Sequence, residues 1–507
     1  MGRVEFTIKE EYYRPMEEGR LVIPVIAMVL HLVNLFCLIL LIRSGIQILY
    51  DHPKLYWTDH TEDDNWWIKF GKKVMPKDKL WTARDEAETP PKATIALPGG
   101  NHNLGTGRHW HFTIATIWVA TGVLYLGYLL ISGDWTRILP TGWEIFPEAV
   151  RIMGSYLTLN IPEEGAAYNA LQQLSYAFMI FVVAPLQLVT GLAMSPALTG
   201  KYQWLLTPFG NSRQVARSLH FIAMVMFSLF ILVHVTMTIG FHTYTSIQRF
   251  VSGNTTIDFA AALTLFLMIM ILLVAFNIWA TMFSLRYPIR IRAILIKLYV
   301  PVIKLLFGRM KSQQKYTKKD ISKFFRVNGY PPETKEFYDL RDNNFKDWRL
   351  KIHGMIEAPQ ELSLAEIKAM KKQTQITKHV CIQGWTGVAE WAGVPMRDIV
   401  KLAKPTKDAK YIVFRCYDVY DDGYEFYTSL RTSDMQDKQT ILAYEMNGEP
   451  LPLNHGAPIR LRQENKTGYK MAKWIKSIEF VDDFSHIGRG RGGHREDAFL
   501  FDWEATI

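Results

Sequence analysis

Five apolar runs, near residues 22–42, 111–132, 175–196, 216–240 and 258–284, break up the first 290 positions of the chain. Each is close to the roughly 20 apolar residues that a helix needs to cross the hydrocarbon of a bilayer. They predict a membrane all-α helical bundle of about five transmembrane helices. The stretch 291–307, "IRAILIKLYVPVIKLLF", is apolar but carries Lys297 and Lys304. It reads as an amphipathic helix lying on the membrane surface. From 324 onward, short alternating runs such as "DWRLKIHGMIEAPQELSLAEI" and "YIVFRCYDVYDDGYEFYTSL" are separated by Gly and Pro turns. That pattern predicts an α+β domain rich in turns and not a doubly wound sheet. A long polar segment over 51–108, with Trp57, Trp66, Trp67 and Trp81, would serve either as a cover over the second domain or as a partner surface.

Composition narrows the functional classes. A net charge of +10 could suggest nucleic acid. Beside five membrane spans, basic loops facing lipid headgroups or cofactor phosphates account for it better, and no nucleic-acid partner is expected. The three cysteines, Cys37, Cys381 and Cys416, form no CxxC pair. They support neither a disulfide framework nor a cysteine-built zinc or iron–sulfur site. The segment "EEYYRPMEEGR" before the first run lacks a positive leader region, and there is no twin-arginine signal, so that run is read as an anchor. The spans show no internal repeat of the kind that marks a transporter.

Polar side chains are costly inside a bilayer, so intramembrane histidines are functional candidates. His31 lies in the first run, His111 at the start of the second, and His220 and His234 in the fourth. His234 follows His220 by fourteen positions, nearly four helical turns, which places both on one face about 21 Å apart. If the first span starts on side A, the second and fourth start on side B. His31 and His234 then lie toward A, and His111 and His220 toward B. Two level pairs are what two bis-histidine b-type haems require. His109 is an alternative to His111 as ligand, and His242 falls at the span boundary.

The segments "LHLVNLFCLILLIRSGIQILYDHPKLYW", "GTGRHWHF", "YNALQQLSYAFMIFVVAPLQLVTGLAMSP" and "RSLHFIAMVMFSLFILVHV" resemble the membrane cytochrome b of formate dehydrogenase, over about residues 20 to 285. The resemblance implies two b-haems that carry electrons between a quinone site and a soluble partner, with His31, His111, His220 and His234 as ligands. Over 324 to 495, "FFRVNGYPPE", "CIQGW", "MNGEPLPLNHGAPIRL" and "GYKMAKWIKSIEF" occur in the order found in the molybdenum-cofactor domain of the sulfite oxidase family, which they resemble. That resemblance implies a molybdenum-molybdopterin cofactor with Cys381 as its protein ligand, for which a soft thiolate is suited. By the same motif match, Asn328, His455, Arg460 and Lys473, with Lys470 as a further candidate, hold the pterin and its phosphate. Gly384, Trp385 and Thr386 follow the cysteine where animal and plant sulfite oxidases have a basic stretch. In this respect the chain is closer to the bacterial methionine-sulfoxide reductase branch, which works with a separate haem-bearing membrane partner.

The expected organisation is therefore a tail over 1–20, a two-haem transmembrane cytochrome b domain over 21–290, an amphipathic linker over 291–323 and a molybdopterin-binding oxidoreductase domain over 324–507. The expected activity is quinone-linked oxygen-atom transfer: quinol is oxidised near the His31/His234 haem, electrons pass to the His111/His220 haem, and an S-oxide or N-oxide is reduced at Cys381. Reverse flow, as a quinone-reducing dehydrogenase, uses the same parts. Expected partners are the lipid bilayer, quinone or quinol, a small-molecule oxide or a redox protein, and a larger respiratory complex. The alternative is an electron-transfer subunit whose second domain is a metal-free docking module. The location expected is a bacterial inner membrane. The cytochrome resemblance puts the second domain on the periplasmic side, whereas Lys201, Arg213, Arg217, Arg286, Arg290, Arg292 and Lys297 on side B lean the other way under the positive-inside rule.

Overall fold

A computed structural model describes residues 23–61, 65–76, 79–91, 95–100, 102–160, 168–420 and 423–504. The tail expected over 1–20 lies outside them. Among the described residues, five helices are long and apolar enough to cross a membrane: Val25–Asp51, Leu104–Ser132, Ala170–Ala193, Arg213–Phe241 and Phe259–Arg286. Leu130, Ile131 and Ile271 point outward from them at 73%, 91% and 66% exposure, as side chains that face lipid would.

Most of these helices overrun the apolar runs that predict them. The first continues to Asp51, and its extension is stable because Ser44, Gln47 and Asp51 fall on one buried face. Gln47 donates from Nε2 to Asp51 Oδ2 at 3.1 Å and accepts from the Gly99 amide at 2.9 Å. Buried polar groups of this kind are tolerated because they are paired. The third helix contains a π-helical turn at Met179–Val183 and the fourth ends in one at Thr236–Phe241. The helix Pro288–Phe307 follows the fifth span, as its amphipathic pattern predicts. Ile291, Leu295 and Tyr299, spaced by one turn, are buried, while Ile294, Leu298 and Leu305 are exposed.

Beyond it lie two five-stranded sheets. One contains β5 (Gln373–Val380), β6 (Thr386–Pro395), β9 (Thr440–Met446), β10 (Glu449–Pro450) and β11 (Arg460–Gln463). The other has the order β4 (Gln360–Ser363), β3 (Arg349–Gly354), β12 (Ile475–Val481), β7 (Tyr411–Val419) and β8 (Glu425–Arg431). Within it β3 and β12 run parallel and the other neighbours antiparallel. Ile352, Phe414 and Ile478 from the second sheet, with Trp348 and Trp474 just before two of its strands, share one core with Val394, Leu442 and Leu461 from the first. This is the α+β architecture with many turns that the sequence pattern predicts. A short hairpin, β1 (Lys54–Tyr56) with β2 (Trp66–Lys69), stands in the segment between the first two spans.

The compact units do not follow chain order. One comprises residues up to Ile42, Ile114–Leu188 and Ile222–Trp279; the other comprises Arg43–Thr113, Val189–Phe221 and Ala280–Ile507. The second therefore gathers both sheets, the helix Pro288–Phe307, the segment 51–91 and the adjoining turns of the spans.

Candidate functional site

Cys381 sits in the turn between β5 and β6, whose register runs from Gln373↔Gly393 to Val380↔Thr386. The turn closes with the Cys381 amide donating to Trp385 O at 3.1 Å and the Gly384 amide donating to Cys381 O at 3.2 Å. Gly384 adopts φ +85°, and a Cβ there would meet the ring of His52 at 2.7 Å, so only glycine fits. The thiol is 1% exposed and receives the Gln383 amide at 3.4 Å. Burial pushes it up to about 12 despite the Gln383 amide and the positive charge of Arg213, Lys473 and Arg326. Burial thus favours the neutral thiol, and a bound metal is one means by which such a thiol becomes a thiolate.

Beside this turn is a cavity lined by Phe325, Arg326, Asn328, His379, Trp385, His455, Arg460, Gly468, Met471 and Lys473. Four of the expected cofactor-binding residues, Asn328, His455, Arg460 and Lys473, thus converge on it from three separate stretches of chain. Lys473 is held by the carbonyl of Asn454 at 3.1 Å and by that of Asn328. Burial, with Arg460 adding to it, pulls the Lys473 ammonium well below its usual range. His455 is pulled down to about 3 by burial and then by Arg460 and Lys473, so it is a neutral imidazole. Arg460 Nε is buried and has no hydrogen-bond partner among the described residues. Crowded buried cations with an unsatisfied guanidinium nitrogen are the surroundings an anionic group such as a pterin phosphate would complete. The residues present fit that cofactor.

Lys470 is placed elsewhere. Its ammonium donates to the Ser429 carbonyl at 3.0 Å and pairs with Glu496, with both side chains buried. His379, Arg326 and Phe325 line the cavity but were not singled out in the sequence. A signal for His379 was present: it stands two positions before Cys381 at the end of an extended run, the spacing of residues on one face of a strand. Arg462 Nη1 donates to His379 Nδ1 at 2.8 Å, and because arginine is always a donor, the ring proton is on Nε2.

Described residues of the segment 51–91 pack directly on this turn. Asp59 pairs with Lys378 at 2.5 Å, His52 Nε2 lies 3.1 Å from Ile382 O, and Thr61 Oγ1 lies 3.4 Å from Thr386 O. Ala83 is buried with Cys381 and Trp385. Glu86 bridges Lys54 at 2.6 Å and Arg326 at 2.8 Å. Of the two roles open to this segment in the sequence, the described residues show the cover.

The four intramembrane histidines fall into two pairs. In one unit His31 and His234 have ring centroids 6.3 Å apart at 77°, with Phe230 stacked on His234 at 5.6 Å. In the other, His111 and His220 are 6.2 Å apart at 62°. Two imidazoles bonded in line to one metal, each at about 2 Å, bring their centroids to roughly 6 Å. Ser44 Oγ lies 3.0 Å from His111 Nδ1, and Thr190 Oγ1 3.0 Å from His220 Nδ1. Contacts at Nδ1 are how ligating imidazoles are oriented. His109, the alternative, is engaged at both nitrogens, with Tyr299 OH at 2.9 Å and Phe499 O at 3.0 Å. His242 follows the π-helical turn that ends the fourth span.

Comparison with known proteins bears on both halves. Residues 338–486 match the family described as oxidoreductase molybdopterin binding domain, and residues 22–253 match that described as prokaryotic cytochrome b561. The chain is 29% identical over 182 residues to the putative protein-methionine-sulfoxide reductase subunit YedZ1 of Azospira oryzae, covering 36% of this chain and 63% of that protein. It is 33% identical over 145 residues to the protein-methionine-sulfoxide reductase catalytic subunit MsrP of Xanthomonas campestris, covering 27% of this chain and 45% of that one. It is 30% identical over 142 residues to the uncharacterized oxidoreductase YuiH of Bacillus subtilis, covering 28% of this chain and 68% of that protein. The chain spans less than two thirds of the first two of these relatives. A buried cysteine beside a cationic cavity, in a region that aligns with molybdopterin oxidoreductases, accounts for one half, and apolar helices bearing paired histidines account for the other. The chain belongs to the molybdopterin-binding oxidoreductase family and joins that domain to a prokaryotic cytochrome b561 domain.

Proposed function

We propose that this chain is a membrane-bound oxidoreductase that moves electrons between the quinone pool, two b-haems and a molybdenum cofactor, reducing an S-oxide or N-oxide. The observation that carries the reading is the grouping, in one compact unit, of the His111/His220 pair with Cys381 and its cationic cavity. Per turnover, one quinol gives up two electrons and two protons, and the oxide becomes its reduced form plus water. Oxygen-atom transfer and one-electron steps are the chemistry that molybdenum and haem supply when bound.

The chain's own residues provide the setting. Cys381 would be the thiolate ligand to molybdenum, and Asn328, His455, Arg460 and Lys473 would hold the pterin and its phosphate; Lys470, paired with Glu496, stands outside that cavity. His31 with His234, and His111 with His220, are the haem ligands, as in the formate-dehydrogenase-type cytochrome. In this reading the cytochrome domain covers 21–290, the linker 291–323 and the molybdopterin domain 324–507. The protein sits in the inner membrane with the second domain on the periplasmic side. Names of the relatives support the S-oxide, since two are described as parts of protein-methionine-sulfoxide reductases.

The deciding experiment is the molybdenum-to-iron ratio of the purified, detergent-solubilised protein from a host that makes the cofactor. A ratio of one to two is expected. Two irons without molybdenum would overturn the enzyme and leave a docking module on an electron-transfer cytochrome.

A further inference from the structure

A second cavity reaches the turn that follows Cys381, lined by Gln383, Gly384 and Trp385 of that turn and by His52, Glu86 and Arg326 among others. It shares Arg326 and Trp385 with the cofactor cavity, so the two meet at the cysteine turn. Most of its outer wall comes from the segment 51–91. That segment is tied down on both sides of the cysteine, through Lys378, Ile382 and Thr386.

Two polar atoms in this wall are buried without a hydrogen-bond partner among the described residues: His52 Nδ1 and Trp385 Nε1. Their side chains are 8% and 4% exposed. Leaving such groups unmade is costly, so a pair of them lining one cavity points to a ligand. Trp385 Nε1 can only donate. Nε2 of His52 faces the Ile382 carbonyl and carries the ring proton, which leaves Nδ1 of the neutral ring as an acceptor. A donor and an acceptor on residues lining one cavity suit an oxide that leaves its oxygen behind as water.

We propose that the segment 51–91 roofs the catalytic face, so that the substrate is a small free sulfoxide or N-oxide and not a methionine sulfoxide within a folded protein. Its oxygen accepts from Trp385 Nε1, and the departing water donates to His52 Nδ1. The overall change is balanced: oxide, two electrons and two protons give the reduced compound and water, with quinol supplying electrons and protons. This inference rests on the reductase reading above.

The test uses the holoenzyme with its haems reduced by dithionite. Haem reoxidation is followed on mixing with dimethyl sulfoxide, trimethylamine N-oxide, free methionine sulfoxide, or a folded protein bearing methionine sulfoxides. At least one small oxide should reoxidise the haems ten times faster, per oxide group, than the protein does. Equal or faster oxidation by the protein overturns the roof while leaving the reductase reading intact. If no oxide reoxidises the haems, both fall.

A second measurement does not depend on turnover. Calorimetric titration of the oxidised holoenzyme with dimethyl sulfone, which carries the same kind of oxygen, should give binding that weakens about tenfold in Trp385→Phe with molybdenum content unchanged. Unaltered affinity overturns the donor assignment. So does loss of molybdenum, which would assign the indole N–H to the cofactor instead.

Discussion

Replacing Asp59 by alanine should release the segment 51–91 from the cysteine turn. The Asp59 carboxylate pairs with Lys378 at 2.5 Å and accepts from Ser212 Oγ at 2.8 Å, from the Gln214 amide at 3.1 Å and from Thr386 Oγ1 at 3.1 Å. Lys378 is 4% exposed, so Asp59→Ala strands a buried ammonium together with three donors. Removing one partner of a buried ion pair costs about 3–5 kcal/mol. Since about 1.4 kcal/mol is tenfold in population, the open form of the segment should rise by roughly a hundredfold or more. Hydrogen exchange of the amides in 51–91, measured in detergent, reads this directly. The double variant with Lys378→Met should recover much of the loss, because no charge is left stranded. The pH dependence carries a sign. Burial pushes the Asp59 carboxyl up, but Lys378 and the hydrogen bonds outweigh it and hold it below the usual carboxylate range. Burial likewise lowers Lys378, and Asp59 reverses that, so its ammonium sits above the usual range. The carboxylate's contribution is thus present above its unfolded value, near pH 4, and fades as pH falls through the folded value. The ammonium's is present below about pH 10 and fades as pH rises through its own. The Asp59–Lys378 pair itself adds no slope between about pH 5 and 9, whereas His52, held neutral chiefly by burial and well below its usual range, makes protection fall as pH drops below about 6.5. Exchange within tenfold of wild type in Asp59→Ala would refute this account.

Cys381→Ser should abolish turnover with the haem spectrum unchanged; surviving oxide reduction would place the chemistry elsewhere. His220→Ala or His111→Ala should each leave one haem, read as iron falling from two per chain to one, while variants that keep both would dismantle the pairing. Lys473→Met should lower molybdopterin content by at least tenfold, because Arg460 and His455 are then left with one fewer cation for the phosphate; full content in the purified variant would separate Lys473 from the cofactor. His109→Phe, which removes the hydrogen bonds to Tyr299 and Phe499, should retain both haems by absorbance.

The five spans were legible in the sequence because crossing a bilayer demands one property, a long run without charge, and local composition carries it. Their true ends were not. The first helix gains its last turns from Gln47 and Asp51, whose partners include a backbone amide fifty residues away. The pairing of the histidines was also legible, since the rise per residue and the alternation of spans match His31 with His234 and His111 with His220 by arithmetic. Which histidine of His109 and His111 turns toward His220 was not, because two residues along a helix differ by about 200° and only packing selects the face. Motif order pointed to Cys381 and to four residues of its cavity. It did not separate Lys470 from Lys473, three positions apart: one ammonium meets Glu496 and the other enters the cavity, a choice made by the turn between β11 and β12. Least legible was the roof. Asp59, His52 and Thr61 lie more than three hundred residues from the turn they grip, in a segment whose composition suits any polar loop. Sequence by itself determined which stretches cross the membrane and which carry the cofactor motifs. Tertiary structure alone decided that the first loop of the membrane domain closes over the cysteine, because buried charges and orphaned N–H groups acquire meaning only through neighbours distant in the chain.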